Sequence, residues 1–172
     1  WHTYPRIHHV SKFPDHIDIE ISSICNLRCP MCYTITDEFQ EKIKTGLMDF
    51  KLYKKLIDEC SKFKPYSIRI SFRGEAFLHP NIFEMIEYAK TSGIKEISSL
   101  THGGMIDEEK FRKLIELELD WLTISFDGLG EEYNKIRAPN NFDEQVEKIK
   151  RFSEIKKELY KNLVSNISNF ID

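Results

Sequence analysis

The sequence has no long hydrophobic run, no marked excess of charge of one sign, and no low-complexity segment or fixed internal repeat. Its longest apolar stretch falls far short of the ~20 residues that a membrane-spanning helix needs, so no membrane partner is expected. The formal net charge is −3, and lysine and glutamate are mixed along the predicted helices. Without a basic stripe, binding to nucleic acid or to an anionic membrane surface is not expected.

Cysteine is also scarce, with four residues in 172 and no secretory signal peptide before them. This is not the pattern of a secreted disulfide framework. No second Cys-x-x-Cys pair follows the first cysteines, so cysteines alone do not supply a closed zinc site. The isolated Cys60 is predicted to be a small core residue on a helix. The first residue is Trp1 rather than Met, from which we expect an excised or processed piece of a longer chain.

The remaining composition, 41% hydrophobic and 31% charged, is that of an ordinary globular chain. A chain of this length buries roughly 70% of its unfolded surface, which is enough for a core without added crosslinks. We predict an irregular segment over residues 1–16 and a single folded core over residues 17–172.

Three cysteines, Cys25, Cys29 and Cys32, fall within eight residues in the stretch Ile24–Tyr33. Thiolates favour zinc, copper(I) or iron-sulfur clusters. If the three held a four-iron, four-sulfur cluster, one iron would keep an open position for chemistry. The alternatives are a zinc site completed by a histidine, a disulfide pair, or cysteines that fill a core.

Hydrophobic patterns predict strands that alternate with helices. The strands are expected at residues 17–21, 67–72, 96–100 and 121–126, with a possible fifth at 163–167. The helices are expected to begin after the N-caps Asp49, Asn81, Asp107 and Asn141, and Glu84 completes a capping box with Asn81. The first of these helices should bury Leu52, Leu56, Ile57 and Cys60. Such alternation indicates an α/β fold with a parallel sheet.

Four polar motifs follow the carboxyl ends of the predicted strands. They are the cysteine loop, Arg73-Gly74-Glu75, Thr101-His102-Gly103 and Ser125-Phe126-Asp127. Parallel β/α sheets gather their functional groups at this end. We therefore expect all four motifs to lie together at the carboxyl-end edge of the sheet, which we call its mouth.

The Cys-x-x-x-Cys-x-x-Cys loop after a short strand resembles the cluster loop of the radical S-adenosylmethionine (radical SAM) enzymes. The segment Arg73-Gly74-Glu75-Ala76 resembles their Gly-Gly-Glu-Pro motif, with Arg73 replacing the first Gly and Ala76 replacing Pro. Thr101-His102-Gly103 resembles a Thr-Asn-Gly segment of the family. The sequence around Asp127-Gly128 resembles that of the radical SAM subgroup whose members often carry a SPASM-type C-terminal extension.

This resemblance implies a partial (β/α) barrel of about four complete β/α units and the start of a fifth. It implies that Cys25, Cys29 and Cys32 ligate a 4Fe-4S cluster. The residues implied to contact S-adenosyl-L-methionine (AdoMet) are Met31, Gly74, Glu75, Thr101, Ser125 and Asp127. Among these, Glu75 would accept hydrogen bonds from the methionyl ammonium, Met31 would pack on adenine, and Ser125 with Asp127 would bind the ribose. Asp127 has the alternative role of capping the turn that it forms with Gly128.

The implied reaction is reductive cleavage of AdoMet to a 5′-deoxyadenosyl radical, which abstracts hydrogen from a small-molecule or peptide substrate. A low-potential electron donor, flavodoxin-like or a reductase, and a cytoplasmic location are expected with it. No catalytic side chain is assigned. Two other hypotheses remain: a non-catalytic zinc module closed by His79 or His102, and a catalytically incompetent fragment of this fold.

Overall fold

The computed structural model describes residues 12–168, with side chains through residue 159. Its centre is a four-stranded sheet in which every neighbouring pair is parallel and the spatial order is the order of the chain. The strands are β1 (His16–Asp18), β2 (Ser67–Arg69), β3 (Glu96–Thr101) and β4 (Trp121–Ile124).

Helices fill each connection between successive strands, and two more helices follow β4. They are α1 (Asp37–Lys42), α2 (Phe50–Ser61), α3 (Ile82–Thr91), α4 (Glu108–Glu116), α5 (Gly130–Ile136) and α6 (Phe142–Ser168). Two short 3-10 turns lie at Tyr33–Ile35 and Ala76–Leu78. Adding each strand to the same edge of the sheet places the crossovers on one face, as in a barrel wall. This confirms the predicted α/β fold.

The core lies between that face of the sheet and the helices. Alternate residues along the strands and along the segments that continue them, such as Ile19, Ile68 and Ile97, point into it and are at most 5% exposed. Met85 and Phe152 meet them from α3 and α6. Buried residues recur every second position in a strand and about every 3.6 positions in a helix. This difference in spacing is why the hydrophobic pattern of the sequence predicted the strands and helices.

Three of the four predicted N-caps are confirmed. Asp49, Asp107 and Asn141 each accept hydrogen bonds from backbone N–H groups of the following helix. Asn81 precedes α3 but makes no side-chain cap, so the predicted capping box with Glu84 is wrong. The ring of His79 takes over locally, because its Nδ1 accepts a hydrogen bond from the Asn81 N–H.

The observed strands end earlier than predicted at the mouth, except β3. After β1 the chain leaves the sheet to pair with residues 46–48, where the Met48 N–H donates to the Ile21 carbonyl. After β2 the hydroxyl of Ser71 accepts the Leu100 N–H in place of a backbone carbonyl. The strand ends are therefore diverted into the loops that form the mouth.

Two other expectations differ from the structure. Residues 163–167 are helical, as part of α6, rather than the start of a fifth strand; no Gly or Pro interrupts the sequence from Phe142 to Ser168. Leu52 is 49% exposed, so only part of the predicted stripe on α2 is buried, chiefly Ile57. Helix α5 was not predicted.

Within the described residues, no helix is long and apolar enough to cross a membrane.

Candidate functional site at the carboxyl ends of the strands

The cysteine loop carries three free thiols with different exposure. Cys25 is exposed, Cys32 is half-buried and Cys29 is buried. The loop is closed by a turn in which the Cys32 N–H donates to the Cys29 carbonyl at 2.9 Å. Two contacts orient sulfur atoms: the Leu27 N–H donates to Cys25 Sγ at 3.4 Å, and Cys32 Sγ lies 2.9 Å from Thr34 Oγ1.

The thiols of the loop are close enough that the charges of Cys29 and Cys32 affect the pKa of Cys25. Although Cys25 is exposed as a residue, partial desolvation of its sulfur raises the pKa, against a lowering by the Leu27 N–H. The negative charges of Glu75, Cys29 and Cys32 raise that pKa further. Gathering several thiolates is therefore costly without a cation, and a metal group would remove that cost.

A cavity of about 200 Å³ opens beside Cys25 within this loop. Its lining is mostly polar and is formed by Ser23, Ile24, Cys25, Leu27, Arg28, Thr34, Ile35, Gln40 and Thr45. Space next to a soft ligand is what an inorganic cluster requires. Cys25 is the cysteine that lines this cavity, and three thiolates in one loop are a donor set that suits a 4Fe-4S cluster.

Among the side chains that the structure describes, no three of His, Cys, Asp or Glu lie close enough together to hold a single metal ion. A four-iron cluster sets a looser requirement, since each thiolate binds a different iron. The histidines of the zinc hypothesis are also engaged. The rings of His79 and His102 each accept a backbone N–H at Nδ1, which leaves Nε2–H to donate to Met48 O and Asn26 Oδ1 respectively.

Arg73, which departs from the family motif, fixes the end of β2 to the end of β1. Its backbone N–H and Nε donate to Glu20 Oε1 at 3.1 and 2.7 Å, and its Nη2 donates to Glu20 Oε2. Its guanidinium also lies 5.5 Å from the ring centre of Phe39, which packs edge-on against Tyr33, next to Cys32. The arginine therefore contributes packing to the loop where the motif's glycine would contribute none.

Gly74 lies directly against the backbone that leads into the cysteine loop. A Cβ at this position would come within 2.5 Å of the Ile24 carbonyl oxygen and 2.6 Å of the Ser22 carbonyl oxygen. The next residue reinforces the contact, because the Glu75 N–H donates to the Ile24 carbonyl at 2.8 Å. The glycine is therefore required for close approach of two backbone segments.

Replacing Gly74 by Ala is expected to displace the cysteine loop, since the clashing atoms are backbone and cannot rotate away. We expect a loss of about 1–3 kcal/mol in the free energy of unfolding and weaker cluster retention, measured by denaturant unfolding and iron content. Gly46→Ala is the matched control, because nothing lies within 4 Å of its Cβ position. Equal behaviour of the two variants would contradict this account.

The carboxylate of Glu75 is 1% exposed and is the hub of a buried network. Its Oε1 accepts from the Phe77 N–H at 3.0 Å and from Thr101 Oγ1 at 2.8 Å. Its Oε2 accepts from the His102 N–H at 3.0 Å. The predicted contact with a ligand ammonium stays a prediction, and the structure adds a second role, which is to join the ends of β2 and β3.

His102 extends the network to the cysteine loop and to the segment before α6. Its Nε2–H donates to Asn26 Oδ1 at 2.9 Å, and its Nδ1 accepts from the Gly104 N–H at 3.0 Å and faces Asn140 Nδ2 at 3.2 Å. Desolvation lowers the pKa of His102, although the neighbouring Glu75 opposes the effect. A neutral ring with its proton on Nε2 satisfies every one of these contacts.

The other predicted contacts lie around the same mouth. The Ser125 N–H donates to the Thr101 carbonyl at 2.9 Å, which joins the ends of β3 and β4. Asp127 is paired with Arg137, whose Nε donates to it at 2.6 Å, a contact that sequence reasoning missed. Met31 is 56% exposed on the cysteine loop.

These features match a known family. The sequence profile of the Radical SAM superfamily covers residues 19–167, and the chain belongs to that superfamily. The predicted family is thereby confirmed.

Characterised relatives include two enzymes from different organisms. The tungsten-containing aldehyde ferredoxin oxidoreductase cofactor-modifying protein of Pyrococcus furiosus is 32% identical over 122 residues, which are 70% of this chain and 33% of that protein. The GTP 3′,8-cyclase of Chlorobaculum tepidum is 33% identical over 136 residues, 78% of this chain and 39% of the relative. The chain thus spans well under half the length of these relatives.

Solved structures share the fold at lower identity. SuiB of Streptococcus suis bound to S-adenosylmethionine has a TM-score of 0.66 and 18% identity, over 90% of this chain and 33% of that one. BtrN in complex with AdoMet and 2-DOIA has a TM-score of 0.61 and 23% identity, over 74% and 52%. These likenesses support the partial-barrel fold.

Proposed function

We propose that this chain is the core of a radical SAM enzyme that holds a 4Fe-4S cluster and binds AdoMet at the mouth of its sheet. The observation that carries the proposal is the cysteine loop itself. The loop carries three free thiols, a cavity opens beside Cys25, and the backbone of Gly74 and Glu75 packs against the segment that leads into the loop. Packing of this kind holds the loop in one conformation, as is needed if its cysteine sulfur atoms are to bind a metal group in a fixed geometry.

In this proposal Cys25, Cys29 and Cys32 ligate the cluster. When bound, the cluster supplies the electron that cleaves AdoMet to a 5′-deoxyadenosyl radical, which abstracts hydrogen from the substrate. The chain's own residues bind and orient. The buried network from Glu75 to His102 holds the ends of β2 and β3 in register beside the loop.

The AdoMet contacts are proposed for Met31, Gly74, Glu75, Thr101, Ser125 and Asp127. Geometry supports them unequally. Thr101 and Glu75 are hydrogen-bonded to each other. A ligand would therefore contact the side-chain atoms that this hydrogen bond leaves free, or the neighbouring backbone. The Asp127 carboxylate would bind ribose while it remains paired with Arg137.

Substrate and partners are proposed only by class. The substrate is a small molecule or a peptide, and the electron comes from a low-potential flavodoxin-like donor or reductase. We place the protein in the cytoplasm, because cluster assembly needs reduced thiols. The relatives act on different compounds by their names, so their substrates are not assigned to this chain.

The test is anaerobic reconstitution of the chain with iron and sulfide. We expect about four irons and four sulfides per chain and a reduced-state electron paramagnetic resonance (EPR) spectrum that changes when AdoMet is added. About one zinc per chain without acid-labile sulfide would favour the zinc module instead. A cluster whose spectrum ignores AdoMet would contradict the proposed binding site.

A further inference from the structure

The part of the loop between Cys25 and Cys29 is held by the side chain of Asn26, although that residue is exposed. Both ends of the Asn26 amide are engaged: Oδ1 accepts from His102 Nε2–H at 2.9 Å, and Nδ2 donates to Met105 Sδ at 3.7 Å. These partners lie 76 and 79 residues further along the chain, in the connection after β3. Asn26 therefore ties the segment between two proposed cluster ligands to the end of another strand.

The ring of His102 is held in the orientation that makes this contact. It is buried, its Nδ1 accepts from the Gly104 N–H at 3.0 Å, and Asn140 Nδ2 lies 3.2 Å from the same nitrogen. Because two donors face Nδ1, the ring proton lies on Nε2, which is the atom that faces Asn26. Neighbouring protein groups therefore fix the direction of this hydrogen bond.

The same ring nitrogen also faces the carboxylate of Glu75, with His102 Nε2 3.3 Å from Glu75 Oε2. That carboxylate oxygen accepts from the His102 backbone N–H at 3.0 Å as well. One buried imidazole therefore lies between Glu75, a proposed AdoMet contact, and Asn26, which follows Cys25 in the chain. It connects the two halves of the proposed site.

We propose that His102 is a positioning residue that holds the cysteine loop through Asn26 and thereby slows the loss of the bound cluster. This role rests on the proposed function, since it concerns a cluster on Cys25, Cys29 and Cys32. Groups that hydrogen-bond around a metal site orient its ligands and raise its affinity for the metal. A loop segment that is held at Asn26 has less freedom to carry a thiolate away from its iron.

Two substitutions of His102 separate the roles of its two ring nitrogens. Gln places an amide nitrogen near the position of Nε2, so His102→Gln keeps a donor for Asn26 and loses the acceptor for the Gly104 N–H. Asn places an amide oxygen near the position of Nδ1, so His102→Asn keeps that acceptor and loses the donor to Asn26. Asn26→Ala removes the acceptor of the same hydrogen bond at an exposed position, where the fold of the chain does not depend on it.

The rate of iron release from the anaerobically reconstituted chain to a colorimetric chelator measures cluster loss without substrate turnover. We expect release to be about tenfold faster in His102→Asn and in Asn26→Ala, and close to that of the parent in His102→Gln. The double variant of His102→Asn with Asn26→Ala should release iron no faster than either single variant, because both changes remove one contact. The reduced-state EPR lines should broaden in the same variants, as the loop samples more than one conformation.

Denaturant unfolding of the cluster-free chain separates this role from a purely structural one. A structural role would lower the stability of His102→Gln and His102→Asn alike and leave iron release from Asn26→Ala at the rate of the parent, and that pattern would overturn the inference. Additive rates in the double variant would overturn it too.

Release at the parent's rate in both His102→Asn and Asn26→Ala, with a cluster present, would overturn the inference and leave the proposed function standing. Failure of the parent chain to assemble a cluster would overturn both.

Discussion

Replacing Cys25, Cys29 or Cys32 singly by Ala is expected to abolish the brown absorbance of the reconstituted protein and to lower its iron from about four per chain to near zero. Each thiolate would bind a different iron, so the loss of one opens a second corner of the cluster to solvent. Iron and sulfide counts, with the visible spectrum, measure the effect.

The fourth cysteine provides the control. Cys60 lies at the end of α2, is half-buried and free, and is not part of the loop. Cys60→Ala should keep the full iron content and lose only a little stability as a small core residue. Unchanged iron in all three loop variants would refute the cluster assignment, whereas equal iron loss in Cys60→Ala would show that the assay reports general damage.

Replacing Glu75 by Gln keeps the size of the side chain but is expected to lower the stability of the chain. The amide nitrogen of Gln must face at least one of the three donors that now meet the carboxylate, from Phe77, Thr101 and His102. A buried donor left without an acceptor costs about 1–3 kcal/mol. We expect a loss of about 2 kcal/mol, which lowers the melting temperature by roughly 4–8 °C.

Glu147→Gln is the matched control, because that carboxylate is 70% exposed in a surface pair with Lys150. Its effect should stay near or below about 0.5 kcal/mol. If Glu75→Gln weakens AdoMet binding at a temperature where the chain is fully folded, the predicted ligand role of the carboxylate gains support. Equal stability of the two Gln variants would contradict the buried network.

The sequence was sufficient to predict the fold because local signals and global topology agree. Strict alternation in β1 and β2, helical spacing in α4 and the caps Asp49 and Asp107 all indicate the same crossover order. The convergence of the motifs also followed from topology, because parallel strands end at a common edge.

What the sequence did not reveal depends on contacts between residues far apart in the chain. Nothing local indicates that Arg73 meets Glu20, or that Glu75 is enclosed by Thr101 and His102. The same holds for the pair of Asp127 and Arg137, which are ten residues apart. Motif similarity identifies such residues as important, but packing decides whether their side chains face a ligand or one another.

The close contact of Gly74 and Glu75 with the segment before Cys25 bears on how the protein matures. These contacts join protein to protein, so the approach to the first ligand is ordered by folding itself. Ordering backbone costs about 1–2 kcal/mol per residue in conformational entropy. If the loop holds a cluster as proposed, folding has already met that cost for the approach to Cys25, and cluster binding does not have to meet it again.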